Sequence, residues 1–328
     1  MTEGVVLVTG GAGRLGCALV RELLARGARV RVLDPARAPR SLEGLAVERI
    51  EGSVLDAEAV RAALDGVRLV VHAAARIDLG PDPDGALRAI NVEGTRRVAD
   101  ACAGAGVRLV HVSSHAALDR RPLDRALTED NPLALDDPCP YHRSKAEADR
   151  LVLERARAGA LDAVVVCPGT LTGPWDFEPS LLGRALIDLC AGKIPILLDA
   201  TTDYADVRDV SRAVVEAGAR GRRGERYLLT GDVRDILSLA RSVEAVTGAR
   251  LPRRALPLWV GWAMLPLTEA LARARGAAPL YSAGMLRASV SNPVVRRDKA
   301  ERELGYTLRS LESSLADAFA FFRDEGRL

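Results

Sequence analysis

The sequence predicts a doubly wound α/β fold, a mostly parallel sheet with helices on both faces, joined to a smaller and mostly helical lobe. Three observations predict it. Over the first 170 residues, short β-branched runs alternate with longer stretches rich in Ala, Leu, Arg and Glu. Those runs are continuously hydrophobic, as strands covered on both faces are. The first of them ends in a glycine-rich turn that leads into a helical pattern. At 328 residues the chain can fill one large domain and still supply a lobe.

Taken in order, strands are expected at VVLV (5–8), VRVL (30–33), a weaker run near 46–50, LVVH (69–72), RLVHV (108–112) and AVVVC (163–167). Helical stretches fill most of the intervals, except 35–52, which reads as a loop leading to the weak strand. Beyond about residue 170 the alternation loosens. A loop punctuated by Pro and Gly over 171–203 carries a helix near 180–191 and a short KIPILL strand. YLLT (227–230) reads as a strand returning to the main sheet. Helices then dominate at 235–247, 257–275, 297–304 and 311–325. The expected division is a nucleotide-binding domain of residues 1–170, to which 205–232 return, and a substrate lobe of 171–204 and 233–328.

Composition narrows the partners. The net charge is +2, and the arginines are interspersed with acids, so no electrostatic footprint for nucleic acid is evident. The densest basic run, RGRRGER (220–226), reads as a solvated loop. The five cysteines form no CxxC pair and are odd in number, which argues against a disulfide framework or zinc site and fits a reducing cytoplasm. Histidines 72, 111, 115 and 142 show no convincing metal spacing, so no metal is expected. The first residues begin a strand at once, without a signal-like apolar run. ALPLWVGWAMLPLTEALA (255–272) is unusually apolar, but Pro257, Pro266 and Glu269 make it too broken to span a bilayer. Three readings of it stay open: a helix facing the core or a second subunit, a wall of an apolar substrate pocket, and interfacial contact with a membrane.

VVLVTGGAGRLGCALVREL sets Gly10, Gly13 and Gly16 in a G-x-x-G-x-x-G pattern between strand and helix. Such a turn needs positive φ, and its missing side chains let backbone N–H groups, here those around Arg14 and Leu15, reach a pyrophosphate at the helix N-terminus. Asp34, about 20 residues on at the end of the second strand, stands where an acid accepts hydrogen bonds from the adenosine ribose. A carboxylate there repels a 2′-phosphate, so NAD is favoured. Arg14, Arg37 and Arg40 near the same end keep NADP open. Asp56 reads as a helix cap.

Tyr141 and Lys145, in PCPYHRSKAEAD, are one helical turn apart and share a face. A phenol can protonate a forming alkoxide, but its ordinary pKa near 10 makes it a sluggish base in reverse. A neighbouring ammonium is expected to lower that pKa, and a shift of ~3 units corresponds to about 4 kcal/mol. His142, Arg143 and Ser144 between them read as outward-facing or merely packing.

These motifs, in this order, resemble the extended short-chain dehydrogenase/reductases of the NAD-dependent epimerase/dehydratase type. The resemblance rests on TGGAGRLG (9–16), HAAA (72–75), NVEGT (91–95), VSS (112–114), YHRSK (141–145) and CPGTLTGP (167–174), with DVRDV (206–210) and RDKAERELGY (297–306) as later landmarks. It implies a Rossmann-type fold and an NAD(P)-dependent enzyme, and it spans essentially the whole chain. By it, Gly10, Gly13 and Gly16 would hold the pyrophosphate and Ala73, Ala74 and Ala75 would pack beside the cofactor. Asn91 would anchor a helix behind the site, and Pro168 to Thr170 would border the nicotinamide. Ser114 would orient the carbonyl, with Ser113 as the fallback. Tyr141 would exchange the proton, and Lys145 would also hold the nicotinamide ribose. A homodimer, as in many members, is also implied.

For the substrate, Thr202 stands where sugar-nucleotide enzymes of the family carry a diphosphate-clasping arginine. Trp259, Trp262 and Met264 suit an apolar guest, and 168–197 is most similar to dihydroflavonol-reductase-like and sterol-dehydrogenase-like branches. Trp175 and Asp176 are expected near the substrate. Carbonyl–alcohol interconversion on a small, fairly apolar molecule is therefore the leading expectation. A sugar-nucleotide 4-epimerase or dehydratase and a non-catalytic NAD(P)-sensing protein are its rivals.

Overall fold

The computed structural model describes residues 4–275 and 282–328. Twelve strands are described: β1 Val5–Thr9, β2 Arg29–Asp34, β3 Glu48–Glu51, β4 Val67–His72, β5 Arg108–Val112, β6 Ala163–Pro168, β7 Thr170–Thr172, β8 Leu197–Leu198, β9 Thr201–Asp206, β10 Arg226–Leu229, β11 Asp232–Asp235 and β12 Ala255–Leu256. Seven of them form one parallel sheet in the order β10-β6-β5-β4-β1-β2-β3. The strand order reverses between β1 and β4, and a crevice at such a switch point, beyond the carboxyl ends of the strands, is where open sheets bind ligands.

Both faces are covered, which is why the strand runs are hydrophobic throughout. On one face the helices Arg14–Ala25 and Val207–Arg220 pack on each other and over Val6, Val8, Val71 and Val166. On the other, Thr95–Ala105 and Pro140–Arg157 enclose Leu7, Val70, Leu109 and Val165. The loop-then-weak-strand reading of 35–52 resolves into β3 at the sheet edge. Asp56 caps the next helix, accepting from Glu58 N and Ala59 N.

The lobe has its own core, in which Leu186, Leu189, Leu239, Val243, Phe319 and Phe322 come together. Two small sheets, β11-β9-β7 and β12-β8, join it to the main sheet. Short polar strands such as TTDYAD and DVRD carry little hydrophobic pattern, so the three-stranded sheet was not foreseeable from periodicity. One stretch expected in the lobe belongs elsewhere: Ala300, Leu304 and Tyr306 pack into the main sheet's core. Arg226, expected in a solvated loop, is buried as the first residue of β10, with its guanidinium 3.6 Å from Asp149.

Candidate active site

The glycine turn is built by close approach. Gly10 has φ +70°, and a Cβ on it would stand 2.6 Å from Ala74 Cα. A Cβ on Gly16 would collide with the Gly10 carbonyl. Gly13 differs: its nearest atom would be Gly10 O at 3.4 Å, so the protein itself leaves room for a side chain there. The first intrahelical bond is Cys17 N to Gly13 O, so the N–H groups of Arg14, Leu15 and Gly16 precede the ladder. Asp34 braces the turn by accepting from Ala12 N at 3.0 Å and Ala36 N at 2.9 Å. Glycine where nothing but a ligand excludes Cβ, free helix-start donors and an acid at the end of β2 together fit a dinucleotide. On the other side, Ala73 N and Ala74 N donate to Thr9.

Tyr141 and Lys145 lie in the first turns of the Pro140–Arg157 helix, whose Pro140 at N1 suits a helix start. Both side chains are buried. Ser114, just beyond β5, stands beside the Tyr141 phenol, whereas Ser113 is buried beside Cys167. Ser114 Oγ also accepts from Ala116 N at 3.2 Å, which fixes its rotamer. Lys145 Nζ donates to Val112 O at 3.0 Å, so ammonium and serine hang from the same strand end.

The electrostatics differ from the sequence expectation. Burial pushes the Tyr141 phenol up to about 12, and the neighbouring Ser114 hydroxyl only partly opposes it. Burial likewise lowers Lys145 to about 8, against the pull of Asp149. Desolvation of both groups outweighs any acidification of the phenol by the ammonium in the protein alone. The phenol is thus held protonated at neutral pH, the form needed to donate.

The Lys145 shift has a measurable consequence. Its folded pKa lies below the ordinary 10.5, so between about pH 8 and 10.5 the unfolded chain keeps a proton the folded chain has lost, and stability rises with pH. Below pH 8 the buried charge costs about 3 kcal/mol. Lys145→Met is therefore expected to be more stable than wild type at pH 7, with the gap closing towards pH 10.5. Urea unfolding of both proteins across this range measures it.

A second layer holds the helix, and most of it was missed from the sequence. Ser144, read as outward-facing or merely packing, is buried and bonded; it donates to Tyr141 O at 2.8 Å and accepts from Asn91 Nδ2 at 2.9 Å. Asn91 also exchanges bonds with the Arg76 backbone. His142 is likewise buried, with Nδ1 3.3 Å from Asp137. Asp149 continues the Tyr141–Lys145 face by another turn, fully buried, 3.4 Å from His111 Nε2 and 3.6 Å from Arg226 Nε. The spacing 141, 145, 149 was the available signal. Next to Ser114, His115 Nδ1 lies 3.1 Å from buried Asp203, whose carboxylate also takes the place a Cβ on Gly169 would occupy.

Other expected site residues do not converge on Tyr141. The Arg14 guanidinium donates to Leu171 O, Gly173 O and Ser180 Oγ and pairs with Asp176 at 3.3 Å. With the guanidinium so engaged, its backbone N–H is the group left for a cofactor. Asp176 is spent on Arg14 and on capping Ser180, so it is no substrate ligand. Trp175 takes a left-handed backbone, φ 67°, and its ring lies 5.2 Å from the Arg21 guanidinium, over the glycine helix. Arg40 pairs with Glu325 at 3.0 Å. Pro168 ends β6 and Thr170 begins β7, pairing with Tyr204. A cleft of about 590 Å³ between Leu79–Pro83, Pro138–Pro140 and Ser282–Gly284 is walled by neither Tyr141 nor Lys145.

Comparison with known proteins places this geometry among nucleotide-dependent enzymes. Residues 6–229 match the model of the NAD dependent epimerase/dehydratase family. The chain is 36% identical to sterol demethylase protein B of Methylococcus capsulatus, over 98% of this chain and 99% of that one. It is 32% identical to a 4-hydroxy-2-methyl-3-oxo-4-farnesyl-3,4-dihydroquinoline-1-oxide ketoreductase of Stigmatella aurantiaca, over 95% of this chain and 94% of that one. Among solved structures it is similar to gox2253, with a TM-score of 0.87 and 33% identity, covering 99% of this chain and 100% of that one.

Proposed function

The chain belongs to the NAD-dependent epimerase/dehydratase family, and from that premise we propose that it interconverts a carbonyl and an alcohol on a small, fairly apolar substrate. It is an NAD(P)-dependent oxidoreductase of the extended short-chain type. The observation that carries the finer reading is the Tyr141 phenol, buried beside Ser114 with buried Lys145 one helical turn away. The relatives' names add a sterol and a farnesyl-bearing quinoline oxide as guests of similar enzymes.

In this reading the cofactor, when bound, supplies or takes the hydride. Ser114 Oγ donates to the substrate carbonyl oxygen and orients it. Tyr141 gives its proton to that oxygen as the C–O double bond becomes single, and takes it back in the oxidative direction. The Lys145 ammonium, near the phenol on the same helical face, stabilises the phenolate left behind and contacts the nicotinamide ribose. The N–H groups of Arg14, Leu15 and Gly16 hold the pyrophosphate, and Asp34 holds the adenosine ribose, with Gly10, Ala73, Ala74, Ala75, Asn91, Ser113, Pro168 and Thr170 lining the same cradle. Asp34 and the engagement of Arg14 and Arg40 elsewhere support NAD over NADP. Five free cysteines, four of them buried, accord with a cytoplasmic setting.

The cradle has its own test. Gly13→Ala is expected to leave urea stability nearly unchanged yet weaken NADH binding at least tenfold, because the added methyl enters only the ligand's space. Fluorescence titration with NADH and NADPH reads it, and undiminished NADH affinity in Gly13→Ala would remove the pyrophosphate from this turn.

A further inference from the structure

We propose that the apolar helix of the lobe docks this protein on an anionic lipid surface. The helix is Leu258–Arg275. Its inner side is fixed by Gly261, where a Cβ would stand 2.7 Å from Leu198 and 3.0 Å from Leu286. The outer side shows Trp259, Trp262, Ala263, Pro266, Leu267 and Ala270, the i, i+3, i+4, i+7 recurrence of one face. Trp259 is 68% exposed and Leu267 61%, with Met264 at 45% on the flank. From residue 255 to 268 the sequence contains no charge.

Such a face is inverted for a water-exposed helix, and Trp259, Trp262 and Met264 do not wall the cleft at Leu79–Pro83. Charge selects the occupant. Exposed Arg253 and Arg254 lead into the apolar stretch, and the guanidinium of exposed Arg287 sits 5.3 Å from the Trp262 ring. A second copy packed two-fold about the tryptophans would bring the two Arg287 side chains together near its centre, where like charges repel. An anionic headgroup layer satisfies all three arginines, the indoles take the interfacial level, and the aliphatic side chains enter the acyl boundary. No helix among the described residues is long and apolar enough to cross a membrane, so the contact lies on the surface.

The test is co-sedimentation of the full chain with vesicles of phosphatidylcholine alone or mixed with phosphatidylglycerol. Wild type is expected to sediment with the mixed vesicles, less so as salt is raised. Trp259→Ser with Trp262→Ser, and separately Arg253→Glu with Arg254→Glu, should each weaken partitioning roughly tenfold or more. These side chains face solvent, so turnover of a water-soluble ketone without vesicles should be unchanged in both variants, and that assay judges the reductase reading separately. The docking proposal is overturned if wild type stays in the supernatant, if neither pair alters sedimentation, or if light scattering shows a dimer that the tryptophan pair breaks while vesicles are ignored.

Discussion

Tyr141→Phe lowers kcat for carbonyl reduction by ~10²–10⁴ and leaves NADH affinity unchanged. Among the described residues, the phenol is the group that both geometry and protonation fit to donate: Ser114 stands beside it, and burial raises it to about 12. Removing one oxygen keeps the ring's packing beside Leu87, Ala116 and Cys139, so the variant should fold normally. Steady-state turnover together with NADH titration separates the effects. A loss below tenfold would take the proton away from Tyr141. A parallel loss of NADH affinity would mark the residue as a binding element instead.

Asp149→Ala is expected to cost ~3–5 kcal/mol of stability, the largest effect of a single truncation away from the reacting atoms. The carboxylate is fully buried against Arg226, and it is the strongest influence holding the Lys145 proton on. Truncation leaves the Arg226 guanidinium without its counter-charge and lowers the Lys145 pKa further. Removing both partners, with Asp149→Leu and Arg226→Met, should recover part of the loss, because no buried charge is then stranded. Urea unfolding of the two single variants and the double variant completes the cycle; additive costs would show that the pair is not coupled.

The sheet and the glycine turn were legible in the sequence for a shared reason. Doubly buried strands must be continuously apolar, and a phosphate-binding turn must lack side chains, so both demands are written locally. The 141–145 spacing was legible for the same reason. What depended on distant partners was not. Arg14 was assigned to a cofactor because it adjoins Gly13, yet its guanidinium is claimed by Asp176 and carbonyls more than 150 residues away. Ser144 was passed over because nothing local announces Asn91 across the helix pair. The acidified phenol failed on burial, a quantity that spacing does not carry. For Trp259 and Trp262 composition left three readings open, and only the structure could show which way they face.

The most direct test of the proposed reaction is the fate of the reduced cofactor. Purified protein is mixed with NADH and either a panel of apolar ketones or a UDP-sugar, and absorbance is followed alongside product analysis. The account predicts NADH consumed in equal amount to alcohol formed from a ketone, and none of this in Tyr141→Phe. Epimerisation of the UDP-sugar with no net change in NADH, and no ketone reduced, would contradict it.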